Sequence, residues 1–113
     1  MADLDPGRVA ELVRELDAEV CNGGFNQYFF GSAGDRAGAT LEALTAIGAL
    51  GSMAIMASVC SMFPGGFPAA DQAERRRQLD TIDPESELFA AMDTQFQESG
   101  EDLAALAKAY RRR

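Results

Sequence analysis

Carboxylates are the residues of this sequence best placed to do chemistry. Glu11, Glu15 and Glu19 recur at every fourth position. On a helix they climb one side at about 6 Å per step. Like charges at that spacing cost a helix a few tenths of a kcal/mol each, so the row calls for a reason. Residues 78–107 hold a second set, Asp80, Asp83, Glu85, Glu87, Asp93, Glu98, Glu101 and Asp102, with no Lys or Arg among them. The chemistry open to such rows is electrostatic. Phosphates of one DNA strand advance about 3.4 Å along the axis, so a single helix copies that pitch only crudely. Two rows brought side by side would present an anionic face to a basic groove and speed its capture. Asp83, Glu85, Glu101 and Asp102 also have a local explanation, because negative charge is favourable at helix N-termini. The candidates for a partner-binding acidic face are therefore Glu11, Glu15, Glu19, Asp80, Glu87, Asp93 and Glu98.

Other chemistry finds little support. The chain has no histidine, which removes the commonest general base and metal ligand. Cys21 and Cys60 both sit among apolar neighbours with no activating arginine close in sequence, so buried, inert free thiols are expected. The run GSAGDR at 31–36 lacks the lysine of a phosphate loop. No pair of carboxylates is set apart by an apolar pocket, as acid–base work would require. These readings predict no catalytic residue, no metal and no cofactor.

A second constellation is CNGGFNQYFFGSAG, residues 21–34. As packing, Gly23 and Gly24 permit a sharp turn, Phe25, Tyr28 and Phe29 fill the core, and Asn22, Gln27 and Ser32 satisfy backbone groups freed at helix ends. As a site, the amides and the Tyr28 hydroxyl would line a small-ligand pocket. The packing reading is favoured, since amides lack the titratable group that proton transfer needs. The ligand-binding or structural interaction module remains the alternative.

The elements that must position these residues follow from periodicity. The 113 residues suit one domain, 1–113, with an average apolar fraction of 47%. Asp5-Pro6 reads as a helix cap and first residue, followed by a stripe of Val9, Leu12, Val13, Leu16 and Val20 that ends at Asn22-Gly23-Gly24. A short aromatic helix then carries Phe25, Tyr28 and Phe29 up to Gly31. Further helices are expected over 35–48 and 52–62, divided at Gly51-Ser52. Phe63-Pro64-Gly65-Gly66-Phe67-Pro68 must be a turn pinned by its phenylalanines. A helix over 71–79 carries Arg75, Arg76 and Arg77, and Asp83-Pro84 opens one with a stripe of Leu88, Phe89, Met92 and Phe96 over about four turns. Ser99 with Asp102 resembles a capping box before a last helix bearing Leu103, Leu106, Ala107 and Tyr110. Residues 43–70 hold no charge, but their glycines, serines and uncharged flanks indicate a buried helical hairpin rather than a membrane span. The opening MADLDPGR has acids where a secretory leader carries Lys or Arg, so a reducing cytoplasm is expected. The fold class is all-α, a single compact domain of about six to seven helices around that hairpin.

The run from Glu19 to Phe29, with its N-G-G-F and Q-Y-F and the following Ser32-Ala33-Gly34, resembles the DNA-mimic-protein-like domain family of small bacterial helical proteins. Thr40 to Leu44, Ala46 to Ala49, the turn Phe63-Pro64-Gly65-Gly66 with Pro68, and Glu101-Asp102-Leu103 with Tyr110 are similar to it as well, over about residues 8–111. Gly31 and Gln97 depart from the family's usual asparagine and aromatic. The resemblance implies an all-helical fold, with Asn22, Gly23, Gly24, Phe25, Gln27, Tyr28, Phe29, Pro64, Gly65 and Gly66 as its structural motif. For the member that gave the family its name, it implies an acidic surface imitating duplex DNA.

With a net charge of −8, nucleic acid and anionic membranes are disfavoured partners and a basic DNA-binding protein is favoured. A non-enzymatic acidic regulator is thus expected, with homodimerisation through an exposed phenylalanine such as Phe67 as a further option.

Overall fold

Helix α1, Pro6–Phe30, starts as a cap should: the Arg8 amide donates to Asp5 Oδ2 at 3.0 Å, and proline fills the first turn. The structure is a computed structural model that describes residues 5–82 and 87–111. A 3-10 turn, Ser32–Arg36, leads into α2, Ala37–Ala46, and α3 follows over Leu50–Ser61. After the Pro64–Gly66 turn come α4, Gln72–Ile82, α5, Glu87–Gln97, and α6, Leu103–Arg111. Among the described residues there is no strand, and no helix is long and apolar enough to cross a membrane. The all-α expectation is met.

Helix α1 is the element around which the rest is arranged: α2, α4, α5 and α6 all pack on it, and α2 and α5 also pack on α3. Its predicted stripe of Val9, Leu12, Val13, Leu16 and Val20 is buried. The α2–α3 hairpin adds Ala43, Leu44, Ile47, Met56 and Val59 to the core. Phe25, Phe29, Phe63, Phe89 and Phe96 form one aromatic cluster with centroids 5.0–6.4 Å apart, the spacing at which edge and tilted contacts are favourable.

The structure departs from sequence expectation at five places, one of them Leu88 of the α5 stripe, which points to solvent while Phe89 and Phe96 are buried. Asn22-Gly23-Gly24 bends α1 instead of ending it: Gly24 has φ 79° and ψ −177°, and the helix resumes immediately afterwards. The α2–α3 break falls at Gly48 (φ 80°), while Gly51 and Ser52 already lie inside α3. Ser99 does not cap α6; Asp102 does, taking the Ala105 amide at 3.0 Å. Cys21 is exposed, donating to Asp17 Oδ1 at 3.6 Å, whereas Cys60 is buried as expected. The Asp83-Pro84 cap, together with Glu85, lies outside the described residues.

Candidate functional site: the carboxylates and the α1 kink

The α1 acids do not stand alone. Glu11 is exposed beside Arg8, at 3.5 Å. Glu15 is half-buried and receives Arg36 through Nε at 2.9 Å and Nη2 at 2.6 Å, a bidentate pair that ties α1 to the 3-10 turn. Glu19 accepts from Gln27 Nε2 at 2.6 Å. Glu15 thus reaches the 3-10 turn, while Glu11 and Glu19 are met by residues of α1 itself. On another flank of α1, Asp17 lines the groove against α6 together with Asp102, and lines a smaller cleft with Glu101 and Cys21. So α1 does bring an acid against the C-terminal segment, but the acid is Asp17 and not the Glu11–Glu15–Glu19 row. Asp80, Glu87 and Glu98 are exposed on α4 and at the two ends of α5.

Asp93 has a different task. The bend at Gly24 frees the Phe25 amide, and Asp93 Oδ1 accepts it at 2.7 Å across 68 positions of sequence. It is an N-cap supplied from another helix. Burial pushes its carboxyl above the ordinary aspartate range, and the Phe25 hydrogen bond pulls back only in part. A Cβ on Gly24 would lie 2.2 Å from Asp93 Oδ2. Gly24 is therefore required twice, for its positive φ and for the space that admits the carboxylate.

The amides of the motif bond side chain to side chain across the same kink instead of satisfying freed backbone groups as expected, a task that Asp93 performs for Phe25. Asn22 Nδ2 donates to Gln27 Oε1 at 3.2 Å, and Gln27 hands its own amide to Glu19. The Tyr28 hydroxyl is buried and donates to Thr40 Oγ1 at 3.1 Å, while Thr40 donates to the Arg36 carbonyl at 2.9 Å. Burial pushes the Tyr28 pKa up to about 12. Neither cleft is lined by Asn22, Gln27 or Tyr28. At the other motif, the Gly66 amide donates to the Phe63 carbonyl at 2.8 Å, with Gly65 and Gly66 both at positive φ beside Pro64.

Two residues outside the candidate acidic face hold much of this together. Arg75 is fully buried, and its guanidinium donates to the carbonyls of Phe29, Gly31, Ala69 and Ala70 and to Asp35 Oδ1, at 2.6–3.1 Å. All five of its N–H groups are used. Gly34 makes the room, since a Cβ there would meet Arg75 Nε at 2.6 Å. Glu101 caps α3, accepting the Gly51 amide at 3.0 Å and the Ser52 amide and hydroxyl at 2.7 and 2.6 Å. Burial works against its charge, but these donors outweigh it and hold the carboxyl below its ordinary range. The neighbouring cations are also engaged: Arg76 stacks on Phe30 at 4.0 Å, and Arg77 pairs with Glu74.

Fold and surface together define a class: a small all-helical acidic domain, with no cluster of three or more His, Cys, Asp or Glu among the described residues placed to hold a metal. The chain belongs to the DMP19-like protein family, whose sequence model matches residues 3–113. No curated protein and no solved structure matches it. The family is one of DNA-mimic proteins, so the resemblance carried by NGGF, QYF and FPGG is met by the match.

Proposed function

We propose that this protein is a non-enzymatic cytoplasmic regulator that covers the nucleic-acid-binding surface of a basic DNA-binding protein, such as a transcription regulator, with its carboxylates. One observation carries the reading: a member of a DNA-mimic family with net charge −8 has turned many of its cations to internal work. Arg75 is buried, Arg8, Arg36 and Arg77 are paired, and Arg76 lies on an aromatic ring. Exposed Asp80, Glu87 and Glu98 are left to act on a partner, joined by Glu11, whose pair with Arg8 lies at the surface, and by Glu15 and Glu19 as a half-buried extension of the α1 row. Asp93 contributes through the kink rather than as a contact. The hydrogen bonds that Asn22, Gln27 and Tyr28 make to their neighbours speak against the small-ligand alternative.

The test is capture from a cytosol at 50 and 200 mM salt, with identification of retained proteins, followed by titration of the purified partner. Retention at low salt, loss at high salt and weaker binding by Glu11→Lys with Glu87→Lys support the reading. Capture indifferent to salt over that range, where phosphate-like contacts lose about 10³–10⁵ in affinity, would refute it.

A further inference from the structure

Arg14, Lys108 and Arg111 make no ion pair with any described carboxylate, in a chain where Arg8, Arg36, Arg75 and Arg77 each do. All three line one groove between α1 and α6. Its volume is about 590 Å³, within the ~300–1,000 Å³ range of binding clefts. The floor is apolar and mostly small: Ala10 and Val13 from α1, Ala104 and Ala107 from α6. Asp17 and Asp102 mark one end. Arg111 marks the other, where it approaches the position of Gly7, so the two helices run antiparallel.

Local electrostatics explains part of this pattern. Asp102 is the cap of α6, and Lys108 and Arg111 suit the negative end of its dipole. Arg14 lies mid-helix in α1, three positions from Glu11 and from Asp17, a spacing that favours opposite charges without requiring a closed pair, and it adds a third cation to the same groove. From Asp102 to Arg111 the charges span nine residues of helix, roughly 14 Å. A small amphiphile would meet one end of such an array; a helix laid along it would meet all of it. Alanine floors also let a third helix approach to the usual 8–10 Å axis separation.

We propose that the α1–α6 groove docks an amphipathic helix of a partner protein, its apolar stripe on the alanine floor and its acidic side chains against Arg14, Lys108 and Arg111. The occupant is opposite in charge to a DNA-binding partner and seats on a different flank of α1 from the Glu11–Glu15–Glu19 row. The proposal therefore stands or falls independently of the mimicry reading.

The test uses the full chain, isotopically labelled, and three probes. Two are synthetic 14-residue helices with leucines at i, i+4, i+7 and i+11, one flanked by glutamates and the other by lysines; the third is laurate. The bulk charge of the protein favours the lysine helix. The groove predicts the reverse: the glutamate helix binds at least tenfold tighter at 50 mM salt and shifts the amides of 10–17 and 103–111. Arg14→Gln with Lys108→Gln, both at exposed positions, keeps the helical circular dichroism and loses that preference. Preference for the lysine helix, amide shifts confined to other regions, an unchanged ranking in the double variant, or laurate binding where the helix does not would each overturn the proposal.

Discussion

The sharpest stability prediction concerns Gly24 and Asp93. Asp93→Ala removes the acceptor of the Phe25 amide in a half-buried setting. Loss of a cap costs about 0.5–2 kcal/mol, and an unsatisfied buried donor about 1–3 kcal/mol, so about 2 kcal/mol is expected. Gly24→Ala suffers twice. Its φ of 79° with ψ −177° is a conformation essentially confined to glycine, about 1–3 kcal/mol for a residue with a Cβ, and that Cβ would sit 2.2 Å from Asp93 Oδ2, forcing the carboxylate out of its cap. About 3 kcal/mol follows, since the displaced cap is lost as well. In the double variant the clash is gone and the cap can be lost only once. Its cost should be about 3 kcal/mol rather than the additive ~5, a coupling of about 2 kcal/mol. Urea unfolding of the four proteins measures the cycle, each kcal/mol corresponding to roughly 4 °C in Tm at this size. Additivity within about 0.5 kcal/mol would refute the claim that Gly24 exists to admit Asp93.

Four further outcomes follow from the rest of the fold. Glu101→Gln should cost about 1–3 kcal/mol at pH 7, as it weakens three hydrogen bonds to the start of α3. Because the folded carboxyl titrates below its ordinary value, its stabilisation is present above the ordinary glutamate range and fades as pH falls through the lowered value. The variant should therefore lose less on acidification than the wild type, read by denaturant midpoints from pH 7 to 3. Arg75→Met should cost about 3–5 kcal/mol, since it takes the donors from four backbone carbonyls at about 1–3 kcal/mol for each one left buried and unsatisfied, and calorimetry should show a lowered Tm. Thiol labelling in the folded state should stop at one cysteine: Cys21 is accessible, while Cys60 is buried with its pKa pushed up to about 12. Asp17→Asn should speed the Cys21 reaction, since burial and then Asp17 both raise that thiol.

The elements were legible where a local rule was enough. Asp5-Pro6, the Val9–Val20 stripe, the Gly31 end of α1 and the inward Phe89, Phe96, Leu103 and Ala107 all rest on spacing within one helix. What was hidden depends on partners far away in sequence. Gly51-Ser52 reads as a break because both residue types favour caps, yet their free amides are inside α3 and are met by Glu101, about fifty residues later. Nothing near Asp93 shows that it closes a bend 68 residues earlier. Arg75 sits in a run of three arginines with nothing local to single it out, and only the fold reveals the four carbonyls that draw it inward. Cys21 was misplaced for a related reason: its apolar neighbours in sequence point to the other side of α1. Of the candidate acids, exposure was readable for Glu11, Asp80, Glu87 and Glu98, whereas the ion pair of Glu15 required a tertiary contact.

Competition addresses the mimicry account most directly. A labelled DNA duplex is bound to the captured basic protein, and the acidic chain is titrated in at fixed low salt. If carboxylates take the place of phosphates, DNA is displaced fully and in proportion to occupancy, with Glu11→Lys and Glu87→Lys weakening displacement. A stable ternary complex, with duplex and acidic chain held together, would contradict the account.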